Sequence, residues 1–196
     1  MQRHLNDAYV QRAQRDGYRS RAVYKLLEIE EKEHLFRPGQ CVVDLGAAPG
    51  GWAQLARRLV GERGEVIGLD LLDMAPLDGV TFIKGDFRDD AMLEALHRTL
   101  AGRAVDIVIS DMAPNVSGMT AVDQPRAMYL CELALEFARE VLRPGGAFVV
   151  KVFQGEGFDA FARALRSSFG KVSTRKPLAS RPKSREVYLV ARNYDS

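Results

Sequence analysis

The chain has 196 residues, of which 46% are hydrophobic and 28% charged, a composition typical of one globular domain with its own core. No apolar run approaches the roughly 20 residues that a membrane span needs, and the first twenty residues contain no apolar signal-peptide centre. We therefore expect a cytoplasmic protein without a membrane anchor. Two cysteines, Cys41 and Cys131, are too few for a disulfide framework and lack zinc-ligand spacing, so we expect reduced thiols and no metal.

The formal net charge of +2 is distributed unevenly along the chain. Residues 1–25 carry six Lys or Arg against two Asp, and residues 171–185 carry six more with no acid. The remaining 156 residues therefore have a net charge of −8. If the fold brings the two basic ends together, they form one positive surface of the kind that binds phosphates. The alternative is that the positive charge at both ends only keeps the protein soluble.

The predicted elements alternate between helices and short strands. Ser20 is a candidate N-cap for a helix that runs to about His34. Five β-branched runs predict buried parallel strands, and four segments between or after them predict helices. The strands are 41–45, 65–70, 80–83, 105–110 and 147–152, and the helices are 52–60, 90–100, 126–142 and 158–168. This alternation predicts a doubly wound α/β sheet with helices on both faces.

The C-terminal region departs from this alternation. Residues 171–174 and 186–191 resemble two further strands, and the Pro-, Ser- and Arg-rich stretch between them leaves no room for a crossover helix. An antiparallel pair is therefore predicted at the end of a seven-stranded sheet. We expect one domain over 1–196, with a basic extension and helix in 1–34 and the sheet with its helices in 40–196.

A glycine-rich loop follows the first strand, where α/β sheets bind nucleotide-like ligands. The loop reads Asp44-Leu-Gly-Ala-Ala-Pro-Gly-Gly-Trp52. It lacks the GxGxxG pattern of dinucleotide sites, because Ala48 occupies the second glycine position and Pro49 follows it. The alternative is that Gly50 and Gly51 form only a tight turn and that Trp52 lies in the core.

Three acids stand at or near the ends of three successive predicted strands. Asp44 lies beside the loop, Asp70 ends the second strand and Asp86 follows the third. Carboxylates accept hydrogen bonds from a ribose diol and an amino group, and they attract a cation but repel dinucleotide phosphates. Each acid alone is equally compatible with a helix cap or a turn. Together with the loop, they favour S-adenosylmethionine.

Two polar groups interrupt the apolar strands at places where packing does not require them. Lys151 lies inside an apolar strand, and Asp111 follows the neighbouring predicted strand. A buried lysine is costly unless it is paired or used in chemistry. Two further charged residues are considered with them: Lys25 on the N-terminal helix and Glu186, the first residue of the last predicted strand. The alternative for Lys151 is a lysine at a sheet edge whose ammonium reaches solvent. For Lys25 the alternative is ordinary surface charge, and for Glu186 it is a cross-strand ion pair.

Four motifs in this order resemble the FtsJ/RrmJ (RlmE) family of ribosomal RNA 2′-O-methyltransferases. They are Asp-Leu-Gly-Ala-Ala-Pro-Gly-Gly-Trp, Ser-Asp-Met-Ala-Pro-Asn-Val-Ser-Gly, Lys-Val-Phe-Gln-Gly-Glu-Gly and Ser-Arg-Pro-Lys-Ser-Arg-Glu-Val-Tyr. The resemblance extends from Ser20 to the last strand. It implies a Rossmann-like class I methyltransferase fold, mostly parallel with an antiparallel last strand, and S-adenosylmethionine as methyl donor. The implied acceptor is a uridine ribose of large-subunit (23S-type) rRNA, naked or in the assembled subunit.

The resemblance also implies specific site residues. A catalytic tetrad falls on Lys25, Asp111, Lys151 and Glu186, and cofactor contacts fall on Gly50, Trp52, Asp70, Asp86 and Asp111. Asp44 and Gly46 of the loop are further candidates for cofactor binding. The basic ends supply candidate phosphate contacts, namely Arg15, Arg19, Arg21, Arg181, Lys183 and Arg185.

Lys151 is our candidate general base for removal of the 2′-hydroxyl proton. A lysine accepts a proton only as the neutral amine, which burial and the charge of Lys25 favour and Asp111 opposes. We expect Asp111 to orient Lys151 and the methyl-bearing end of the cofactor, and Glu186 to hold the lysines. Lys25 orienting the ribose is the alternative role for that residue.

Other functions stay open from the sequence. They are 2′-O-methylation of tRNA or an mRNA cap, a non-catalytic RNA-binding module, a small-molecule methyltransferase and an NAD-dependent dehydrogenase. The short chain favours rRNA over tRNA or cap substrates. Without an interface signal, we expect a monomer.

Overall fold

The computed structural model describes residues 2–196, with side chains from residue 8 onward. Arg3, which was counted in the basic N-terminal segment, has its side chain outside the described part. Seven strands and six helices occur over the described residues. The strands are β1 (Cys41–Leu45), β2 (Glu65–Asp70), β3 (Val80–Lys84), β4 (Val105–Ser110), β5 (Leu142–Phe153), β6 (Phe169–Arg175) and β7 (Glu186–Tyr194). The helices are α1 (Gln2–Asp16), α2 (Val23–Glu33), α3 (Gly51–Val60), α4 (Asp90–Leu100), α5 (Thr120–Val141) and α6 (Phe158–Ser168).

The strands form a single sheet in the order β3-β2-β1-β4-β5-β7-β6. All neighbouring pairs from β3 to β5 are parallel, and β7 is antiparallel to both β5 and β6. The chain order reverses direction between β1 and β4, which creates the crevice where ligands of such sheets bind. The Rossmann-like sheet with an antiparallel last strand, predicted from the sequence, is confirmed.

Alternate residues along the strands fill two cores, because successive side chains of a strand point to opposite faces. On one face, Val42 and Ile109 pack with α2, α3 and Ala13 of α1. On the other face, Val43 and Val108 pack with α4, α5 and α6. Helices on both faces are therefore confirmed. Among residues 2–196, no helix is both long and apolar enough to cross a membrane.

Several elements differ from the sequence prediction, and β5 begins at Leu142, five residues before the predicted strand. The N-terminal helix α1 was not predicted, since its residues are polar around most of the helix. Helix α2 starts at Val23, because the Ser20 hydroxyl accepts the Ala22 N–H in a preceding turn and does not cap the helix. Helix α5 starts at Thr120, six residues before the prediction, with Pro125 inside it.

Candidate active site

A cavity of about 550 Å³ opens at the carboxyl ends of the parallel strands. Its walls come from the loops after β1, β2, β3 and β4 and from α5. They include Gly46, Ala48, Asp70, Leu72, Asp86, Arg88, Asp111, Met112, Asn115, Arg126 and Tyr129. Four sequence-predicted cofactor residues thus surround one cavity, which we call the acidic cavity: Gly46, Asp70, Asp86 and Asp111.

Asp70 links two walls of the acidic cavity through its carboxylate. One oxygen accepts the backbone N–H of Ala48 in the glycine loop at 2.9 Å. The other oxygen accepts the N–H of Leu72, also at 2.9 Å. Because each carboxylate oxygen has two lone pairs, Asp70 retains acceptor capacity for a ligand in the cavity.

Asp86 is paired with a neighbouring guanidinium. The Arg88 side chain donates to its two oxygens at 3.0 Å and 2.6 Å. The hydrogen bonds from Arg88 hold the pKa of Asp86 below its ordinary value. Asp86 therefore stays ionised, and a ligand that bonds to it shares the carboxylate with Arg88.

Asp44 lies in the middle of the sheet, fully inaccessible to solvent. Neither carboxylate oxygen has a hydrogen-bond partner among the described residues. Burial raises its pKa well above the ordinary value, and the charges of Asp111 and Asp70 add to the increase. The neutral form of Asp44 is thus favoured by its surroundings, and Asp44 does not itself line the acidic cavity.

Gly50 and Trp52 also lie outside the walls of the acidic cavity. The Trp52 ring is buried in the core, where it packs on Tyr188 with ring centroids 5.6 Å apart. Its indole N–H donates to the Ala22 carbonyl at 2.8 Å, which connects α3 to the turn before α2. Only the backbone of residues 50–52 is left to contact a cofactor.

Gly46 permits the closest approach between the glycine loop and the segment after β4. Its φ is +82°, and a Cβ added there would lie 2.9 Å from Cγ of Met112. A side chain at this position is therefore excluded by both conformation and space. The absence of a side chain keeps the floor of the acidic cavity open between Gly46 and Met112.

The four tetrad candidates form two ion pairs. Lys151 Nζ lies 3.4 Å from Asp111 Oδ1 and donates to the Asp111 carbonyl oxygen at 3.1 Å. Lys25 Nζ lies 2.9 Å from Glu186 Oε1. All four side chains are less than one-fifth exposed. Charges that are this shielded from solvent interact more strongly than surface pairs.

The β5–β7 register explains how the two pairs come together. Lys151 lies opposite Tyr188, and Glu186 is two residues from Tyr188 and hence on the same face of the sheet. Helix α2 packs on that face and supplies Lys25. Burial raises the pKa of Glu186, but the hydrogen bond and charge of Lys25, with Ser180 and Lys151, outweigh it and hold that pKa below the ordinary value.

Tyr188 is a site residue that the sequence reasoning missed. Its hydroxyl donates to Asp111 Oδ1 at 2.8 Å, so Asp111 is held by both Tyr188 and Lys151. Burial raises the Tyr188 pKa well above its ordinary value, and the charges of Asp111 and Glu186 contribute. Tyr188 lies two residues after Glu186 in a predicted strand, so the sequence already placed the two side chains on the same face of the sheet. This spacing could have identified Tyr188 as a candidate site residue.

Lys176 was also missed. Its ammonium donates to the Ser180 hydroxyl and to the carbonyls of Ser184 and Glu186, at 3.0, 2.9 and 2.6 Å. The Ser180 hydroxyl in turn donates to Glu186 Oε1 at 2.9 Å. Lys176 therefore holds the loop that precedes β7 in place. No motif in the sequence distinguished it from the other cations of the basic C-terminal segment.

A second cavity of about 550 Å³ lies on the other side of the Lys25–Glu186 pair. We call it the basic cavity, and its walls include Arg21, Lys25, Arg181, Lys183, Ser184 and Glu186. The two basic ends of the chain therefore meet here, as expected from the charge distribution. Burial lowers the pKa of Arg21, and the nearby charge of Arg181 lowers it further.

The other predicted phosphate contacts lie away from the walls of the basic cavity. Arg15 is exposed near the end of α1. Arg185 donates to the Gln154 carbonyl at 3.5 Å. Arg19 points to the glycine loop, where its guanidinium bonds to backbone carbonyls.

Comparison with known proteins defines the family. The model of the FtsJ-like methyltransferases matches residues 18–194, which is nearly the whole chain. The chain belongs to the FtsJ-like methyltransferase family. Its relatives include the ribosomal RNA large subunit methyltransferase E of Pseudomonas aeruginosa, 58% identical over 99% of this chain and 94% of the relative. The protein of that name from Chromohalobacter salexigens is 60% identical over 99% of this chain and 92% of its own length.

Solved structures agree with the family assignment. A structure described as a ribosomal RNA methyltransferase from Plasmodium falciparum is 31% identical, with a TM-score of 0.80 over 90% of this chain and 98% of its own. The MycE methyltransferase of mycinamycin biosynthesis, crystallised with Mg and SAH, shares the fold alone at 16% identity, with a TM-score of 0.59 over 95% of this chain and 49% of its own.

Membership of the FtsJ-like methyltransferases decides between the reaction classes considered from the sequence. The protein is a methyltransferase, so neither the dehydrogenase nor the non-catalytic module describes it. The acidic cavity lies at the carboxyl ends of the strands, where doubly wound sheets bind ligands. Asp111 of one ion pair lines the acidic cavity, and Lys25 and Glu186 of the other line the basic cavity.

Proposed function

We propose that this FtsJ-like methyltransferase transfers a methyl group from S-adenosylmethionine to the 2′-hydroxyl of a uridine ribose in large-subunit rRNA. One observation carries the proposal: the two buried ion pairs contribute residues to both an acidic cavity and a basic one. The acidic cavity suits a cationic donor and the basic cavity a polyanionic acceptor. Asp111 lines the first cavity, and Lys25 and Glu186 line the second.

The residues present fit S-adenosylmethionine. Asp70 and Asp86 offer carboxylate oxygens at the cavity wall, and Asp44 is a buried carboxyl with no partner among the described residues. Acids in this number repel phosphates and attract a sulfonium and an ammonium group. When bound, this cofactor supplies an electrophilic methyl group. Asp70, Asp86 and Asp111 would hold it together with the backbone at Gly46, all of which line the cavity. Gly50 and Trp52 lie outside the cavity walls and would contribute by shaping the glycine loop and the start of α3.

Lys151 acts as the general base in this proposal. A 2′-hydroxyl becomes an effective nucleophile when its proton is removed as the oxygen–carbon bond forms. Once Lys151 Nζ has given up its own proton, it would accept the proton of the hydroxyl. The hydroxyl oxygen would bond to the methyl carbon as the bond from that carbon to sulfur breaks, and the sulfur would keep that electron pair. Lys151 is only 10% exposed, which limits competition from water.

The neighbours of Lys151 fix its position. Asp111 accepts from Tyr188 and contacts Lys151, so its carboxylate cannot rotate freely. Glu186 is held by Lys25 and Ser180, which keeps the charge of Lys25 near the reaction centre. These contacts support an orienting role for Asp111 and Glu186 and a role for Lys25 at the ribose.

The basic cavity is the proposed RNA site. Arg21, Arg181 and Lys183 are the phosphate contacts that the geometry supports best, because they line the cavity that adjoins Lys25 and Glu186. Arg15 and Arg185 extend the positive surface beyond it. The relatives named ribosomal RNA large subunit methyltransferase E support large-subunit rRNA over tRNA or a cap. We further propose that the protein acts in the cytoplasm as a monomer.

A substrate panel tests the proposal. Purified protein and labelled S-adenosylmethionine are incubated with unmodified large ribosomal subunits, naked large-subunit rRNA and tRNA, and the labelled nucleotide is mapped. We expect label in a uridine 2′-O-methyl group of large-subunit rRNA. Comparison of subunits with naked rRNA identifies the preferred form of the substrate.

The other outcomes have distinct meanings. Label in tRNA alone would contradict large-subunit rRNA as the proposed substrate but would still support the proposed methyl-transfer chemistry. Label on a base, or on a small molecule only, would overturn the ribose acceptor. If calorimetry detects no binding of S-adenosylmethionine, the proposed cofactor is wrong.

A further inference from the structure

Arg19 was expected to bind RNA, yet its guanidinium lies against the outside of the cofactor loops. One of its terminal nitrogens donates to the carbonyls of Pro49 and Ala75, at 3.3 and 2.6 Å. The other donates to the Pro76 carbonyl at 2.6 Å. Three of the five guanidinium N–H groups are thus used on backbone oxygens of two separate loops.

Both of these loops form walls of the acidic cavity. Pro49 follows Ala48, and residues 75–76 come shortly after Asp70 and Leu72; Ala48, Asp70 and Leu72 all line the cavity. Asp70 connects the same two loops from the inside, through the N–H groups of Ala48 and Leu72. An anion therefore joins the loops on the cavity side, and the Arg19 cation joins them on the opposite side.

Packing around Gly50 confirms how closely Arg19 follows the glycine loop. A Cβ added at Gly50 would lie 3.0 Å from Cδ of Arg19 and 3.4 Å from Sδ of Met74. The backbone N–H of Arg19 also donates to Gln54 of α3 at 2.8 Å. Main chain and side chain of Arg19 are thus both fixed to the region that shapes the cavity.

We propose that Arg19 is a positioning residue for the cofactor loops, and that it connects the RNA-binding N-terminal segment to cofactor affinity. This inference rests on the proposed function, in which the acidic cavity binds S-adenosylmethionine. Arg19 lies two residues from Arg21, which lines the basic cavity. RNA held at Arg21 shifts or stabilises the same short segment, so RNA and cofactor each raise the affinity for the other.

The test measures S-adenosylmethionine affinity by calorimetry for wild type, Arg19→Gln and Arg19→Lys, with and without bound rRNA fragment. Glutamine cannot reach both loops, so we expect the cofactor affinity of Arg19→Gln without RNA to fall about tenfold, within the range typical of linked sites. Lysine keeps the charge but lacks the planar fork, so we expect only partial rescue. In turnover, KM for the cofactor rises more than kcat falls.

Arg58 of α3 offers a matched control, because it contacts the residue next to Arg19. Arg58 donates to the Tyr18 hydroxyl at 2.6 Å and touches neither cofactor loop in the described contacts. Arg58→Gln therefore removes an arginine contact next to Arg19 and leaves cofactor affinity unchanged. Circular dichroism and thermal unfolding confirm that each variant is folded.

The outcomes separate this inference from the proposed function. Lack of S-adenosylmethionine binding by wild type would overturn the proposed function. Wild-type binding with equal affinity in Arg19→Gln would overturn the role of Arg19 alone. If Arg19→Gln binds RNA more weakly but binds the cofactor with unchanged affinity, Arg19 contacts RNA phosphates and does not position the cofactor loops. Equal cofactor affinity with and without RNA in wild type would overturn the coupling.

Discussion

The buried carboxyl of Asp44 illustrates how one residue balances stability against ligand binding. It has no partner for either oxygen among the described residues, and two further carboxylates lie near it. Such a group is unfavourable in the ionised form and is held neutral by its surroundings. A cationic ligand in the adjoining cavity offsets part of this cost.

The pH dependence of stability follows from the raised pKa of Asp44. In the unfolded chain the carboxyl ionises near its ordinary value of 3.8, while burial and the charges of Asp111 and Asp70 keep it protonated in the fold. The folded state then binds more protons, so this group lowers the free energy of unfolding as pH rises from the unfolded pKa towards the folded one.

Asp44→Asn tests this account, because asparagine removes the ionisable group at nearly constant volume. We expect the free energy of unfolding of the ligand-free variant to exceed that of wild type at pH 7, with a difference that shrinks as pH falls towards 4. Affinity for S-adenosylmethionine should fall about tenfold. Urea titrations across pH measure the first effect and calorimetry the second. A stability difference that is independent of pH would contradict the assignment of a neutral Asp44.

Among single residues, Lys151 and Asp111 stand out in the sequence because a lysine inside an apolar strand and an acid after the neighbouring strand are unusual there. Lys25 and Glu186 were predicted only through the family resemblance. Tyr188 and Lys176 were missed, since a tyrosine in a strand and a lysine in a basic segment are ordinary there. Their contacts depend on the β5–β7 register and on the loop before β7. Arg19 stays a predicted phosphate contact, but its guanidinium donates to backbone carbonyls of the cofactor loops, which charge alone could not predict.

At the level of elements, the loop from β1 to α3 determines the shape of the acidic cavity. Gly46 is the position where this loop approaches Met112 most closely, with φ at +82°. An alanine there must adopt a left-handed conformation and place its Cβ about 2.9 Å from the Met112 side chain.

We therefore expect Gly46→Ala to lower the free energy of unfolding by roughly 1–3 kcal/mol and to weaken cofactor binding. Gly39→Ala is a suitable control, because it has a similar φ of +86° and no atom within 4 Å of the added Cβ. Denaturant titration and calorimetry on both variants separate conformational strain from close contact. Equal losses of unfolding free energy and of cofactor affinity in the two variants would show that the close contact with Met112 is unimportant.

The strands β1, β2 and β4 were predicted with their exact bounds, whereas the starts of β5 and α5 were each predicted five or six residues too late. Continuous apolar runs between turn residues identify buried parallel strands directly, as in β1, β2 and β4. The start of α5 was predicted too late because proline usually marks a helix boundary, whereas Pro125 lies inside the helix. Helix α1 is held by tertiary contacts, including the hydrogen bond from Tyr24 to Asp16 and the packing of Tyr9 on Tyr24.

Across the whole molecule, the fold brings together two basic segments, 1–25 and 171–185, that are separated by 145 residues of chain. Arg21 and Arg181 line one cavity and lie close enough to lower the pKa of Arg21. Neither segment alone has this arrangement, and the intervening chain is acidic overall. The sequence therefore predicted that a positive surface forms if the ends meet, but only the topology of β6 and β7 brings them together.

RNA affinity should depend steeply on salt if this surface binds phosphates. For Arg181→Gln combined with Lys183→Gln, we expect weaker binding and a slope of log affinity against log salt that is smaller by about 2. Arg98→Gln is a control on the far side of the sheet, where Arg98 pairs only with Glu94 among the described residues. Filter-binding assays from 50 to 300 mM salt measure the slopes. An unchanged slope in the double variant would place the RNA elsewhere.

The most direct test of the central claim is the single-turnover rate of uridine 2′-O-methylation for wild type, Lys151→Ala and Lys151→Arg, with rRNA and cofactor affinities measured in parallel. If Lys151 is the general base, both variants bind the two substrates nearly as wild type does, and the rate falls by about 10²–10⁴. Arginine does not rescue the rate, because a guanidinium keeps its proton. A rate for Lys151→Arg close to that of wild type would contradict the account, since the residue would then act through its charge alone.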